Sequence, residues 1–232
     1  MRANSATIEE AIAAGYLGVQ PRRRPQGFDA RYVRDPILSL AKDLVPVGST
    51  MTWAGSDDKA LENLGVAVDS RAEARAWIDD LERRGDILHP DVCRRPSDVA
   101  EFAERFVPDS LAVLGFGLPA DQVHGFLAEH ASLGQADGIG VLLREGRPLE
   151  PAHRRLGYEP VAVDKGGLGC SWTCNHLQDD VALATGVVPN EAGFIDTAEQ
   201  AEAVMAFLAD PAVGKETGIW RAWLVVRYEP FR

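Results

Sequence analysis

The run Ile219–Tyr228 near the end of the chain limits what the rest can be. Its sequence, IWRAWLVVRY, alternates with a period of two: Trp220, Ala222, Leu224, Val226 and Tyr228 form one continuous apolar face, and Arg221, Trp223, Val225 and Arg227 a mixed opposite face. Successive side chains of a strand point to opposite sides, so a strand with a Trp on each face needs cover on both. At the usual rise such a run spans about 33 Å. An edge strand of that length and apolarity would aggregate, so Ile219–Tyr228 is predicted to lie inside a sheet.

Its partners are shorter. Residues 111–116 and 158–163 are apolar and bounded by Gly or Pro, which marks strands. Residues 139–143 fit a strand or a helix. Helices announce themselves between these runs. Ser70-Arg71-Ala72-Glu73 has the spacing of a capping box, and Ala74, Trp77, Ile78 and Leu81 follow at helical intervals. Asp79–Arg83 and Asp80–Arg84 are spaced for ion pairs on the wet side, and Gly85 supplies the stop. Thr197-Ala198-Glu199-Gln200 repeats the box ahead of Ala201, Val204, Met205 and Leu208, with Pro211 beyond. Val99, Phe102, Ala103 and Phe106 form a third stripe, and Val123, Phe126, Leu127 and His130 a fourth, opened by Pro119. Residues 7–10 are predicted to begin a short helix ending near Gly15, and a weaker helix is expected from about Asn175 to Thr185, closed by Gly186.

The pattern predicts an α+β fold: an antiparallel or mixed sheet, mostly in the C-terminal half, with helices packed on one side of it and a helical N-terminal half. A boundary near Pro108-Asp109 would divide a mainly helical region, 1–108, from an α+β region, 109–232; the alternative is one continuous domain. The stretch from Pro21 to Pro36 is a second candidate linker.

Composition removes several function classes. Lys and Arg total 24 against 35 Asp and Glu, a net charge of −11, and so acidic a surface repels phosphate backbones. General nucleic-acid binding is therefore not expected. No apolar run approaches the roughly 18 residues of a membrane span, and the start, MRANSATIEE, lacks the apolar core of a signal peptide. Three cysteines fit a reducing compartment better than a disulfide scaffold. The expectation is a cytoplasmic protein without membrane contact.

The segment richest in chemistry is 164–176, DKGGLGCSWTCNH, which is read as a loop between a strand and a helix. Cys170 or Cys174 near a helix N-terminus would be more acidic than a free thiol, with His176 or an upstream His as base. In that reading Cys170, Cys174 and His176 are catalytic in hydrolysis or acyl transfer, and Gly166, Gly167, Gly169, Trp172 and Asn175 line the site. The words Gly169-Cys170-Ser171-Trp172 resemble the active-site segment of papain-like proteases, but those need a His far downstream and the last here is His176. The competing reading makes both cysteines small buried hydrophobes and the glycines a turn. Trp172 is predicted to be at least partly buried, pinning the segment, with Cys174 inside and Cys170 nearer the surface.

Cys170, Cys174 and His176, with His89 and Cys93, match no standard zinc spacing, so no metal is expected. Gly166-Gly167-Leu168-Gly169 is neither a dinucleotide fingerprint nor a P-loop, and no cofactor is expected. Arg22, Arg23, Arg24, Arg31 and Arg34, with Asp29 and Asp35, give a local net of +3, leaving −14 for the remainder. This cluster is either a contact for phosphate or an acidic partner, or a solvated loop that pairs with the protein's own acidic surface. His130, on an apolar stripe, reads as a hydrogen-bonded core residue.

The words LGYEPVAVD, SWTCNHL, VVPNEAGFIDT and IWRAWLVVRY give residues 109–230 their character. Over that range the chain resembles an uncharacterised bacterial family of small acidic proteins of the immunity type. The DKGGLG stretch and His176 depart from the family's pattern. The resemblance assigns no reaction and no catalytic residue. It implies a binding protein whose acidic surface meets a basic protein partner; the alternatives are the small cysteine enzyme above and a small-molecule-binding protein of a biosynthetic or resistance pathway.

Overall fold

The computed structural model describes residues 11–19, 61–62, 65–88, 92–107, 112–134, 138–152, 154–164, 167–172, 177–213 and 218–228. Among the described residues seven strands form one sheet: β1 (Ala11–Val19), β2 (Ile87–Leu88), β3 (Val92–Cys93), β4 (Ala112–Pro119), β5 (Arg154–Asp164), β6 (Gly167–Ser171) and β7 (Ile219–Tyr228). Their order is β2-β3-β1-β4-β7-β5-β6, and every pairing is antiparallel. The fold is α+β, with the longer strands mostly in the C-terminal half. Strand β7 has the bounds its alternation predicts and lies between β4 and β5.

Among the described residues six α-helices cover the sheet: α1 (Arg71–Arg84), α2 (Pro96–Phe106), α3 (Ala120–His130), α4 (Gly138–Glu145), α5 (Leu177–Thr185) and α6 (Ala198–Leu208). Residues 139–143, open between strand and helix in the sequence, are helical in α4. The helices lie on both faces, not on one as expected. Trp220, Leu224, Val226 and Tyr228 of β7 join one apolar cluster with residues of α1, α2, α5 and α6. Trp223 and Val225 join a second, with Phe126 of α3 and Ile139, Leu142 and Leu143 of α4. The reason is the strand itself: both faces of β7 carry large apolar side chains, Trp223 and Val225 on the mixed one, and these must be removed from water.

The expected N-terminal helix is corrected. The residues leading to Gly15 belong to strand β1, held between β3 and β4. Alanines favour a helix in isolation, but Ala11, Ala13, Ala14, Tyr16 and Leu17 are all buried, and burial on two faces with ladders on two sides overrides a propensity of a few tenths of a kcal/mol per residue. Beside β1, Gly115 leaves room for two aromatic rings, since a Cβ there would come within 2.9 Å of Tyr16 and 3.0 Å of Tyr228. The rings meet edge to face with centroids 5.8 Å apart. The Tyr16 hydroxyl accepts from the Glu150 backbone N–H at 3.2 Å, and the Tyr228 hydroxyl donates to the Glu150 carbonyl at 2.8 Å. Burial pushes both phenols above their ordinary range.

The two capping boxes part ways. At Thr197 the box forms: its Oγ1 accepts from the Gln200 N–H at 3.2 Å while the Gln200 side chain accepts from the Thr197 N–H at 3.3 Å. At Ser70 it does not. A 3₁₀ turn, Val68–Ser70, runs straight into α1, so Ser70 already has helical dihedrals (φ −93°, ψ −10°) and its side chain makes no cap. Glu73 pairs instead with Arg105 of α2. On the outer face of α1, Asp80 takes both arginines, Arg84 at 3.1 Å as expected and Arg83 at 2.7 Å.

Candidate functional site

Among the described residues, four polar or charged side chains are buried: Asp98, His130, Glu159 and Ser171. A buried polar group needs a partner, so each requires an account. Asp98 receives two bonds from the Arg95 guanidinium, at 2.9 and 3.2 Å. Burial still raises its carboxyl above the ordinary range, with the Arg95 bonds opposing. His130 packs its ring on Phe126 with centroids 5.2 Å apart, in the core position its stripe predicts.

The remaining two flank Trp172. Glu159 of β5 stands across from Trp223, and Ser171 of β6 across from Val161. Trp172 is fully buried; its backbone N–H donates to the Pro160 carbonyl at 2.9 Å, and its indole Nε1–H donates to Glu159 Oε2 at 3.4 Å. The expected burial of Trp172 therefore holds. The expected loop does not: Gly167, Gly169 and Cys170 belong to the strand Gly167–Ser171, paired antiparallel with β5. The ladder supplies backbone partners that the glycine-rich sequence does not advertise. Gly166, Cys174, Asn175 and His176 lie outside the described residues, as do Arg22, Arg23 and Arg24. Helix α5 begins within the described residues at Leu177 and ends, as expected, at Gly186 with φ 72°. Among the described residues no group of three His, Cys, Asp or Glu side chains could hold a metal ion. No described helix is long and apolar enough to cross a membrane.

Glu159 is a residue the sequence reading missed. Its signal was a single carboxylate inside the apolar run LGYEPVAV, where every neighbour is fit for a core.

A larger feature begins just beyond Trp172. Residues 177–213 contain Asp179, Asp180, Glu191, Asp196, Glu199, Glu202 and Asp210 and not one Lys, Arg or His. All seven carboxylates are exposed. Helix α5 holds to the core through Leu177 and Val181, and α6 through Ala201, Val204 and Leu208. Their outer faces carry the charge. Leu183 lies three and four residues after Asp180 and Asp179, on the same side of α5, and is 89% exposed. Val188, just past the helix, is 60% exposed. Two large apolar side chains thus stand in water inside the acidic region.

Between the helices, residues 190–196 fold around one side chain. Asn190 Oδ1 accepts from the N–H groups of Ala192 and Phe194, and Asn190 Nδ2 donates to the Leu156 carbonyl at 2.9 Å and to Asp196 Oδ1 at 2.8 Å. Tyr158 and Ile195 exchange both backbone bonds, at 2.7 and 2.9 Å. The turn is therefore fixed to β5 and holds α5 and α6 in place. No family model matches the chain, no curated protein matches it, and no solved structure matches it.

Proposed function

We propose that the protein is a binding protein of the immunity type, which takes a basic protein partner on the acidic face built by residues 177–213. One observation carries the reading: residues 177–213 carry seven exposed carboxylates without a single cation, together with the exposed Leu183 and Val188. Carboxylates steer a cationic partner and set its orientation, while apolar side chains at the centre of a contact supply most of the affinity. An isolated exposed apolar residue is ordinary on any surface. Two within a segment lacking any cation are what a charged, partly apolar contact requires.

The test compares the full chain with a doubly reversed variant, Asp179→Lys with Asp180→Lys, and with Leu183→Ala. All three positions are exposed, so the core is untouched. Affinity capture from the source cell at low salt should retain a basic protein that elutes as salt rises. The charge reversal should abolish retention, and Leu183→Ala should weaken it. If the parent retains nothing basic, or the reversed variant retains the same protein equally well, the reading is wrong.

A further inference from the structure

Arg154 of β5 and Arg227 of β7 stand directly opposite each other in the antiparallel ladder. Directly opposed residues put their side chains on one face of the sheet, with Cβ atoms about 4.5–5.5 Å apart. By alternation Arg227 falls on the face of Trp223 and Val225, and its other neighbour in the row is the buried Leu114 of β4. Arg154 is exposed and Arg227 half-buried. We propose that this rung of the ladder binds a small tetrahedral oxyanion, inorganic phosphate or the phosphate group of a small ester, held between the two guanidinium groups.

The pair is costly as it stands. A guanidinium keeps its charge at any pH a folded protein meets, and like charges directly opposite each other destabilise a sheet. Arg227 Nε is buried without a hydrogen-bond partner, so water screens this charge less than it would on an open surface. The chain carries 35 Asp and Glu against 24 Lys and Arg, and elsewhere it sets carboxylates beside its arginines: Glu129 beside Arg221, Glu145 beside Arg94 and Glu73 beside Arg105. Among the described residues neither Arg154 nor Arg227 has a carboxylate partner. Glu191 and Asp196 line a cleft with Arg154 but do not pair with it, and Asp196 gives its Oδ1 to Asn190. Two opposed cations left unmatched in so acidic a chain are accounted for by an anion from outside it.

The donors select the anion. Arg155, the next residue, stands opposite Val226 and so belongs to the other face, where its guanidinium lies over the Tyr158 ring at 5.0 Å and Nη2 donates to the Asp196 carbonyl at 3.4 Å. The site is therefore the two-arginine rung alone. Each guanidinium presents a planar fork of N–H donors that takes two acceptor oxygens. A carboxylate has oxygens for one fork. A phosphate has enough for a fork from each arginine, and its charge offsets both cations. Both side chains spring from paired strands, so binding orders side chains and no backbone.

The test follows thermal unfolding of the full chain in a phosphate-free buffer, with inorganic phosphate, methyl phosphate or acetate added at constant ionic strength. At least one phosphate compound should raise Tm along a saturable curve, with a millimolar or tighter dissociation constant by calorimetric titration. A response to the inorganic ion alone assigns the site to free phosphate, and a response to methyl phosphate assigns it to an ester. Arg154→Gln replaces an exposed side chain. Without ligand it should melt no lower than the parent, because it removes the repulsion. It should bind phosphate roughly tenfold or more weakly, the scale of one lost charge-assisted hydrogen bond. Arg144→Gln, also at an exposed arginine, should leave binding as in the parent. The proposal is overturned if neither phosphate compound binds, if acetate binds as tightly as they do, or if Arg154→Gln binds as the parent does. It is also overturned if Arg154→Gln melts lower than the parent without ligand, or if Arg144→Gln weakens binding equally, which would make the effect one of net charge.

Discussion

Trp172 is the side chain that holds the end of β6 to the core, and its removal has a calculable effect. Its exposure is 0%. A buried indole withdraws about 150–250 Å² from water, worth about 4–6 kcal/mol at roughly 25 cal/mol per Å². Measured Trp-to-Ala changes in cores run at about 3–5 kcal/mol, because the cavity collapses in part. Trp172→Ala should therefore lose about 3–5 kcal/mol. In a chain of this length that is roughly 2–4 °C per kcal/mol, or a fall of about 6–20 °C in Tm. Trp172→Phe separates two contributions. It keeps most of the apolar area and deletes the Nε1–H bond to Glu159, which at 3.4 Å is long. It should cost about 1–2 kcal/mol. Urea denaturation followed by far-ultraviolet circular dichroism gives both differences, with equal m-values confirming a common unfolded state. An unchanged midpoint in Trp172→Ala would refute the anchoring argument. A Phe variant as damaged as the Ala variant would assign the stabilisation to the hydrogen bond instead of to burial.

Two further outcomes follow from the same geometry. Gly157→Ala forces a methyl group to within 2.4 Å of the Ile195 carbonyl at a φ of +136°; the backbone conformation alone should cost about 1–3 kcal/mol, and a urea midpoint equal to the parent's would show that the 190–196 turn is not fixed to β5 as described. Tyr16 and Tyr228 have phenols pushed above the ordinary 10.0 by burial, so the folded state holds their protons more tightly than the unfolded one; their contribution is complete below pH 10 and declines as pH rises above it. Titration of tyrosinate absorbance should show late-ionising groups, one fewer in Tyr16→Phe, and ordinary ionisation of all groups in the folded protein would contradict the buried pair.

The elements legible in the sequence were those whose own side chains carry the signal. Strand β7 is readable because its alternation puts a Trp on each face, and α2 and α6 because their apolar stripes repeat at helical spacing. The strands that stayed hidden draw their identity from neighbours. Ala11, Ala13 and Ala14 say helix in isolation and become strand only between β3 and β4. Gly167 and Gly169 say turn and become strand only against β5. Ser70 and Thr197 begin the same four-residue motif, yet Thr197 caps because it is extended, at φ −126° and ψ 154°. Ser70 fails because the 3₁₀ turn before it has already taken helical dihedrals. The net charge of −11 was visible at once, but a sum does not say where charge gathers. The stretch 177–213 could have been found by scanning for the absence of cations.

The acidic face has opposite consequences for the free protein and for a complex. Seven like charges lie within 37 residues, and no Lys, Arg or His falls in that segment. Self-repulsion of this kind weakens the compact state. Salt shortens the range of the repulsion, to about 8 Å at physiological ionic strength, so the free protein should gain stability as salt is added. A cationic partner relieves the same repulsion by direct contact, and salt weakens that contact by the same screening. The fold limits the internal penalty by fixing the face before any partner arrives: Leu177, Val181, Ala201, Val204 and Leu208 hold the two helices to the core, and Asn190 and the Tyr158–Ile195 pair hold the turn between them. A partner of the kind proposed would therefore order few backbone groups on binding, and little of the electrostatic gain would go to folding the surface that makes it.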